Sequence, residues 1–279
     1  LFDSIPIPED LEQPEDSEGL DQDDSPQGLP VDHPDFRYRP SRNPYAQKLK
    51  DLPLLAYTDH EGEPHRGNWR SRFSDVLHSE NLRVVPQGSR RELHVEIGCN
   101  GGHVILEWAR QNPQNAWIGI DWKFKQIHRG ADKAHQRKIE NLIFLRGSAE
   151  RMHYWFSPGE IDHLYLFFPD PWEKNSQKKN RFFQVERLRR LAELVRVGGD
   201  FYIKTDHAGY FDWMKKCVRE VGDLWEVSLQ TEDLHQGRED RFRLKIPEVT
   251  IFEKVFIDRN QPIFAMRLVR KNTGPNHLR

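Results

Sequence analysis

Five short apolar runs, at residues 93–97, 116–121, 142–146, 162–168 and 201–205, alternate with longer segments of helical period. That alternation is the pattern of βα units, and it predicts an α/β domain: a parallel sheet, Rossmann-like, with helices on its faces. Val104, Ile105, Trp108 and Ala109 form one predicted helical face. Phe182, Val185, Leu188, Leu191, Ala192 and Val195 form a second, ended by Gly198-Gly199, and Tyr210, Phe211, Met214, Cys217, Val218 and Val221 form a third. Core packing accounts for all three. Residues 249–257 and 263–270 read as two further strands joined by a short connection, which predicts an antiparallel hairpin at the end of the sheet.

Composition divides the chain. Between Leu1 and Phe36 there are 12 carboxylates and no Lys or Arg, among six prolines, so residues 1–36 are expected to be a disordered acidic tail. Residues 37–91 are mixed and proline-interrupted and read as an N-terminal extension of a catalytic domain that spans 92–272. Beyond the tail, 42 basic residues face 32 acidic ones, a balance that attracts polyanions. No apolar run approaches the roughly 18 residues of a membrane helix, and the acidic start does not resemble a secretory signal. Cys99 and Cys217 stand far apart, without CxxC spacing, and the histidines form no HExxH motif. A reducing, cytoplasmic setting and no metal site are the expectations.

The run Leu93-His94-Val95-Glu96-Ile97 enters a glycine-rich turn, Gly98-Cys99-Asn100-Gly101-Gly102, ahead of a helical segment. Ligands of open parallel sheets sit outside the carboxyl ends of the strands, so this turn is the first candidate site. The GxGxxG fingerprint of dinucleotide enzymes is absent. Instead Glu96 ends the first strand and Asp121 the second. A carboxylate at Glu96 would repel a pyrophosphate but suits a cationic ligand, and Asp121 stands where an acid accepts ribose hydroxyls. An adenosyl cation fits both.

The fourth run leads into Phe168-Pro169-Asp170-Pro171-Trp172. Two prolines stop the strand and fix the backbone on either side of one carboxylate, which is thereby preorganised at the sheet's edge. Lys174, Lys178, Lys179 and Arg181 follow, then Arg187, Arg189 and Arg190, while Lys123, Lys125, Arg129, Lys133, Arg137 and Lys138 follow Asp121. Two basic clusters of this kind would flank a bound nucleic-acid backbone. Phe182 and Phe183 read as core rather than as stacking platforms.

These blocks resemble the bacterial tRNA (guanine-N7-)-methyltransferase family over roughly residues 92–270. The resemblance is carried by Glu96-Ile97-Gly98, Gly119-Ile120-Asp121, Phe168 to Trp172 with Lys174, Lys179, Arg181 and Gln184, then Thr205-Asp206, and Thr250 with Phe252-Glu253. It implies a class I methyltransferase fold with a mostly parallel seven-stranded sheet and a C-terminal antiparallel hairpin. It also implies transfer of a methyl group from S-adenosyl-L-methionine to N7 of a guanosine at the variable-loop position of tRNA, without a metal. By resemblance, Glu96, Gly98, Asn100, Gly102, Asp121, Ser148 and Ala149 would hold the methyl donor. Asp170 would be catalytic, and Lys174, Asp206, Thr250, Ile251, Phe252 and Glu253 would meet the RNA. The expected partner is tRNA, with no membrane, a monomer or homodimer, and no helper subunit indicated.

The chain departs from the family pattern at four places. Asn100 replaces a glycine, Ser148 an aspartate, Asn175-Ser176-Gln177 a Lys-Arg-His run, and Ile251 a lysine. The lost basic residues motivate a rival reading, a methyltransferase acting on another RNA or a small molecule. Asn100 and Ser148 motivate another, a catalytically silent RNA-binding protein.

Overall fold

The computed structural model describes residues 28–36, 43–76, 90–236 and 250–273, with the side chains of 74–76 and 251–252 excepted. Among them are eight strands in one sheet: β1 Ala56–Thr58, β2 Leu93–Ile97, β3 Ala116–Asp121, β4 Leu142–Arg146, β5 Ile161–Phe167, β6 Val195–Thr205, β7 Trp225–Thr231 and β8 Phe264–Arg270. Their order is β1-β4-β3-β2-β5-β6-β8-β7. The pairs from β1 through β6 are parallel, and β8 runs antiparallel to both β6 and β7. The α/β class, the parallel sheet and the antiparallel close are therefore those the sequence predicts.

Alternation along the strands builds a core on each face. Leu93, Val95 and Ile97 of β2 point to the side covered by α6 (Met152–Trp155), α7 (Val185–Leu194) and α8 (Ala208–Glu220). Trp117, Phe144, Tyr165 and Tyr202 point to the other, covered by α4 (His103–Gln111) and α5 (Phe124–Gln136). A parallel sheet buried on both faces in this way is why its strands read as continuous apolar runs.

Three details correct the sequence reading. The sheet has eight strands, because β1, in the stretch left as a mixed extension, adds a parallel edge to β4. The antiparallel close is no hairpin of 249–257 with 263–270. Ile251–Asp258 is a helix, and β8 pairs instead with β6 and with the unforeseen β7. Thr250 caps that helix: its Oγ1 accepts from Glu253 N–H (3.0 Å) while Glu253 Oε2 accepts from Thr250 N–H (2.8 Å). This Thr-x-x-Glu capping box overrides the strand propensity of the Ile-Phe-Val-Phe-Ile content. The second helix starts at Val185, and Gly198-Gly199 lies inside β6.

The tail expectation holds no account of residues 28–36, and its remainder, 1–27, lies outside the described residues. Far from being loose, 28–36 form a docked strap. Arg151, fully buried, donates from Nη1 to the carbonyls of Val31 (2.9 Å) and His33 (3.1 Å), and Phe36 is buried beside it. The same guanidinium bonds Asp59 (Nε to Oδ1, 2.9 Å) and Glu63 (3.1 Å), and Tyr154 Oη donates to the Asp32 carbonyl (3.0 Å). One arginine thus gathers the strap and α2 (Asp59–Gly62) onto the turn before α6. Among the described residues no helix is long and apolar enough to cross a membrane.

Candidate active site

Strand order turns back between β2 and β5, the point at which open α/β sheets bind ligands. A cavity of about 460 Å³ opens there. It is walled by the turn after β2 (Gly98, Asn100), the end of β3 (Asp121, Trp122), the turn after β4 (Gly147, Ala149) and the segment after β5 (Phe168, Pro169, Asp170, Trp172).

In the first wall, Gly98 and Cys99 donate their N–H groups to the Ile120 carbonyl (2.8 and 3.0 Å), folding the turn against β3. Gly98 has φ +71°, and a Cβ there would meet nothing within 4 Å, so its bare backbone is what a ligand would touch. Gly102 serves another purpose. A Cβ on it would come within 2.7 Å of the Phe144 ring, so its missing side chain lets α4 pack, and it is not part of the cavity wall. Asn100 adopts φ +50°, which asparagine tolerates, and its Oδ1 accepts from Gly101 N–H at 2.8 Å. The replacement of glycine thus keeps the turn.

Asp121 binds the turn from the second wall: Oδ2 accepts from Asn100 N–H (3.0 Å) and Oδ1 from Lys123 N–H (2.9 Å). A carboxylate offers about four lone pairs, so two bonds leave capacity for hydroxyl donors. Burial raises its pKa against the pull of those amides. Glu96 lies behind the wall, buried, with Oε2 lacking any hydrogen-bond partner. Burial, then the Asp121 charge, pushes its pKa up to about 8. A buried, unsatisfied acid behind a half-buried one forms a socket for hydrogen-bond donors and positive charge.

At the third wall, Ser148 caps a 3-10 turn (Ala149–Arg151), its Oγ accepting from Glu150 N–H at 3.3 Å. Gly147 and Ala149, rather than Ser148, line the cavity.

Asp170 is exposed and faces this cavity. Beyond the two prolines, the residues on either side are left-handed: Phe168 at φ +50° and Trp172 at φ +43°. Such conformations cost bulky residues about 1–3 kcal/mol and persist only where the surroundings impose them. Two bonds do so here. Phe168 N–H donates to the Lys204 carbonyl (2.9 Å), and Arg181 Nε donates to the Pro171 carbonyl (2.8 Å). Arg181 is itself buried, its guanidinium over the Tyr210 ring at 4.9 Å and the Trp213 ring at 5.4 Å. It is a clamp for the turn rather than the RNA-facing cation the sequence suggested.

The other expected RNA contacts divide. Lys174 and Asp206 are exposed beside the cavity without lining it. Thr250 and Glu253 are turned inward by their capping box and are buried. Ile251 and Phe252 open the same helix, and their side chains lie outside the described residues. Arg187 pairs with Glu150 and Arg190 with Asp32, so these cations are partly neutralised. Phe183 is core as expected, but Phe182 is half-buried and lines the cavity. Sequence reasoning missed Trp122, 45% exposed on the cavity wall; its position directly after the strand-end acid was the available signal.

At the opposite end of β2 and β5, Glu92, His94 and His163 come together, a grouping invisible to motif spacing because it is made by strand register. The two imidazoles stack 4.6 Å apart at 23°, and the Nε2 atoms of His94 and His163 lie 3.7 and 3.6 Å from the same Glu92 oxygen. Asn115 Nδ2 lies 3.1 Å from His94 Nε2, and His163 spans Asp200 (3.1 Å) and Glu92 (3.6 Å). The group closes the sheet's amino end, and burial holds the His94 pKa down at about 4.

The profile of a family described as "Putative methyltransferase" matches residues 90–266. A tRNA (guanine-N(7)-)-methyltransferase of Lachnoclostridium phytofermentans is 30% identical over 215 residues, 77% of this chain and 91% of that one. The enzyme of the same name from Bacillus cytotoxicus is 31% identical over 175 residues, 63% of this chain and 73% of that one. A bifunctional glycosyltransferase/methyltransferase of Fusobacterium nucleatum subsp. nucleatum is 30% identical over 219 residues, 78% of this chain, which spans only 31% of that longer protein. A crystal structure of the 16S rRNA methyltransferase KamB superposes with a TM-score of 0.47 at 16% identity, covering 65% of this chain and 88% of that one, a likeness that says nothing of substrate. The matched span contains the glycine turn, both strand-end acids and the clamped Asp170, and by profile and by relatives alike the chain belongs to the tRNA (guanine-N7-)-methyltransferase family.

Proposed function

We propose that this methyltransferase uses S-adenosyl-L-methionine to methylate N7 of a guanosine in tRNA, at the variable-loop position, with residues 92–272 as the catalytic domain and 37–91 as its extension. The carrying observation is that Asp170, clamped between two left-handed residues, faces the same cavity as Gly98 and Asp121. The donor set fits an adenosyl cation. Asp121 offers acceptors for ribose hydroxyls, Glu96 an unsatisfied buried oxygen for an ammonium group, Gly98 and Ala149 close approach, and Asn100 the shape of the turn.

S-adenosylmethionine, when bound, supplies a methyl group on a sulfonium. Guanine N7 carries an in-plane lone pair and no proton at neutral pH, so Asp170 is not needed as a base. Its carboxylate accepts hydrogen bonds from guanine N1–H and N2–H₂, a donor pair adenine lacks. A fixed negative charge beside the purine also favours the charge that develops on the ring as N7 is alkylated. Holding N7 in line is the larger effect, since positioned reactants avoid most of the entropic cost of encounter. Lys174 and the half-exposed Lys178 meet RNA phosphates, and Asp206 is a second acceptor at the end of β6.

The partial neutralisation of Arg187 and Arg190 favours a second reading, a methyltransferase with another RNA as acceptor. One experiment separates the two. Unmodified bulk tRNA is incubated with methyl-labelled donor and digested to nucleosides. Label in N7-methylguanosine supports the proposal, and label confined to another nucleoside rejects it.

A further inference from the structure

Lys204, next to last on β6, is 1% exposed, and so is its partner Glu253. Its ammonium lies 3.0 Å from both carboxylate oxygens of Glu253 and 5.0 Å from the centre of the Phe167 ring. The remaining sides of that carboxylate are taken by Thr250 N–H (2.8 Å) and by His235, whose Nε2 lies 3.5 Å away. Burial opposes its ionisation, yet His235, Lys204 and the Thr250 amide together hold its pKa below the usual carboxylate range. Both oxygens of this carboxylate are thus engaged within the protein.

What the pair does is mechanical. It fastens the helix Ile251–Asp258, α9, against β6, and α9 sets the Phe256 ring 5.8 Å from the Phe168 ring. The carbonyl of the same Lys204 accepts the Phe168 N–H. Phe168 is therefore gripped at its backbone by Lys204 and at its ring by the helix Lys204 holds down. Asp170 follows two residues later.

We infer that Lys204 is a positioning residue for methyl transfer: paired with Glu253, it keeps Phe168 left-handed and so aims Asp170 into the cavity. The inference rests on the function proposed above.

The test is a double-mutant cycle on the full chain with Lys204→Met, Glu253→Gln and both together, and Lys204→Arg as the conservative variant. The readouts are kcat, KM for tRNA and for S-adenosylmethionine, and hydrogen exchange at the amides of residues 167–172. Removing one member strands a buried polar partner, whereas removing both relieves it. Each single variant is expected to lose roughly tenfold or more in kcat, keep the KM for S-adenosylmethionine within about twofold, and exchange faster at 167–172. The double variant should regain most of that loss, with wild-type KM for tRNA, and Lys204→Arg should stay near wild type. A double variant with no regain and a raised KM for tRNA would mean that Glu253 touches substrate. Exchange at 167–172 unchanged in the singles would overturn the positioning role. If the wild-type protein leaves guanosine N7 of tRNA unmethylated, the functional reading fails instead, and recovery of slow exchange in the double variant still decides whether the pair holds the turn.

Discussion

Asp121 acts on Glu96 through charge: after burial itself, the Asp121 carboxylate is the next cause of the Glu96 pKa standing near 8. Ligand-free protein at neutral pH therefore carries Glu96 largely protonated, while in the unfolded chain it ionises near 4.5. The folded state binds the extra proton, so this group makes stability fall as pH rises from about 4.5 to about 8, with little further change above. Glu96→Gln should flatten that part of the melting-temperature profile, and an unchanged slope would contradict the raised pKa. The same variant should weaken S-adenosylmethionine by about tenfold to a hundredfold, read by calorimetry, by removing the acid that meets the donor's charge. Wild-type binding near pH 7 should release protons, seen as a dependence of the binding enthalpy on the buffer's ionisation enthalpy.

Asp170→Ala should lower kcat by roughly a hundredfold or more, the scale for losing one preorganised electrostatic group. The side chain is exposed, so the melting temperature should stay within about a degree or two. Turnover within a factor of three of wild type would remove Asp170 from the mechanism.

Gly98 and Gly102 share a positive φ but should fail differently on substitution. Gly102→Ala drives a methyl group into the Phe144 ring and is expected to destabilise the fold by about 2–4 kcal/mol, measured by denaturant unfolding. Gly98→Ala has open space before it, so it should cost only the about 1 kcal/mol of a left-handed alanine while impairing donor binding.

Arg151→Met removes the bonds to Asp59, Glu63 and the strap carbonyls. A loss of about 3–5 kcal/mol is expected, because Asp59 is left buried without the partner that offsets the cost of its burial. Limited proteolysis should then cut near residues 28–36, which the intact protein protects.

The sheet was legible because β2 to β5 are buried on both faces and so read as apolar runs flanked by turn residues. Glu96, Asp121 and Asp170 stood out for a related reason: each is an acid at or beside the tip of such a run. β7 escaped notice because it is an edge strand with Glu226, Val227 and Ser228 exposed, which weakens the periodicity. Residues 251–258 were misread since β-branched and aromatic content was weighed above the Thr250-x-x-Glu253 capping pattern, whose two bonds start the helix. Arg181 and Glu253 look like surface charges in sequence, and nothing local says that a carbonyl and a lysine from distant segments will enclose them. Phe168 and Trp172 gave no hint of left-handed backbone, which is imposed from β6 and from Arg181.

The strap that closes over Arg151 sets a timetable for synthesis. Its carbonyls at Val31 and His33 are made some 120 residues ahead of the guanidinium that receives them. During translation residues 28–36 therefore wait for their anchor, and their docking is a long-range contact that can form only after Arg151 has been made.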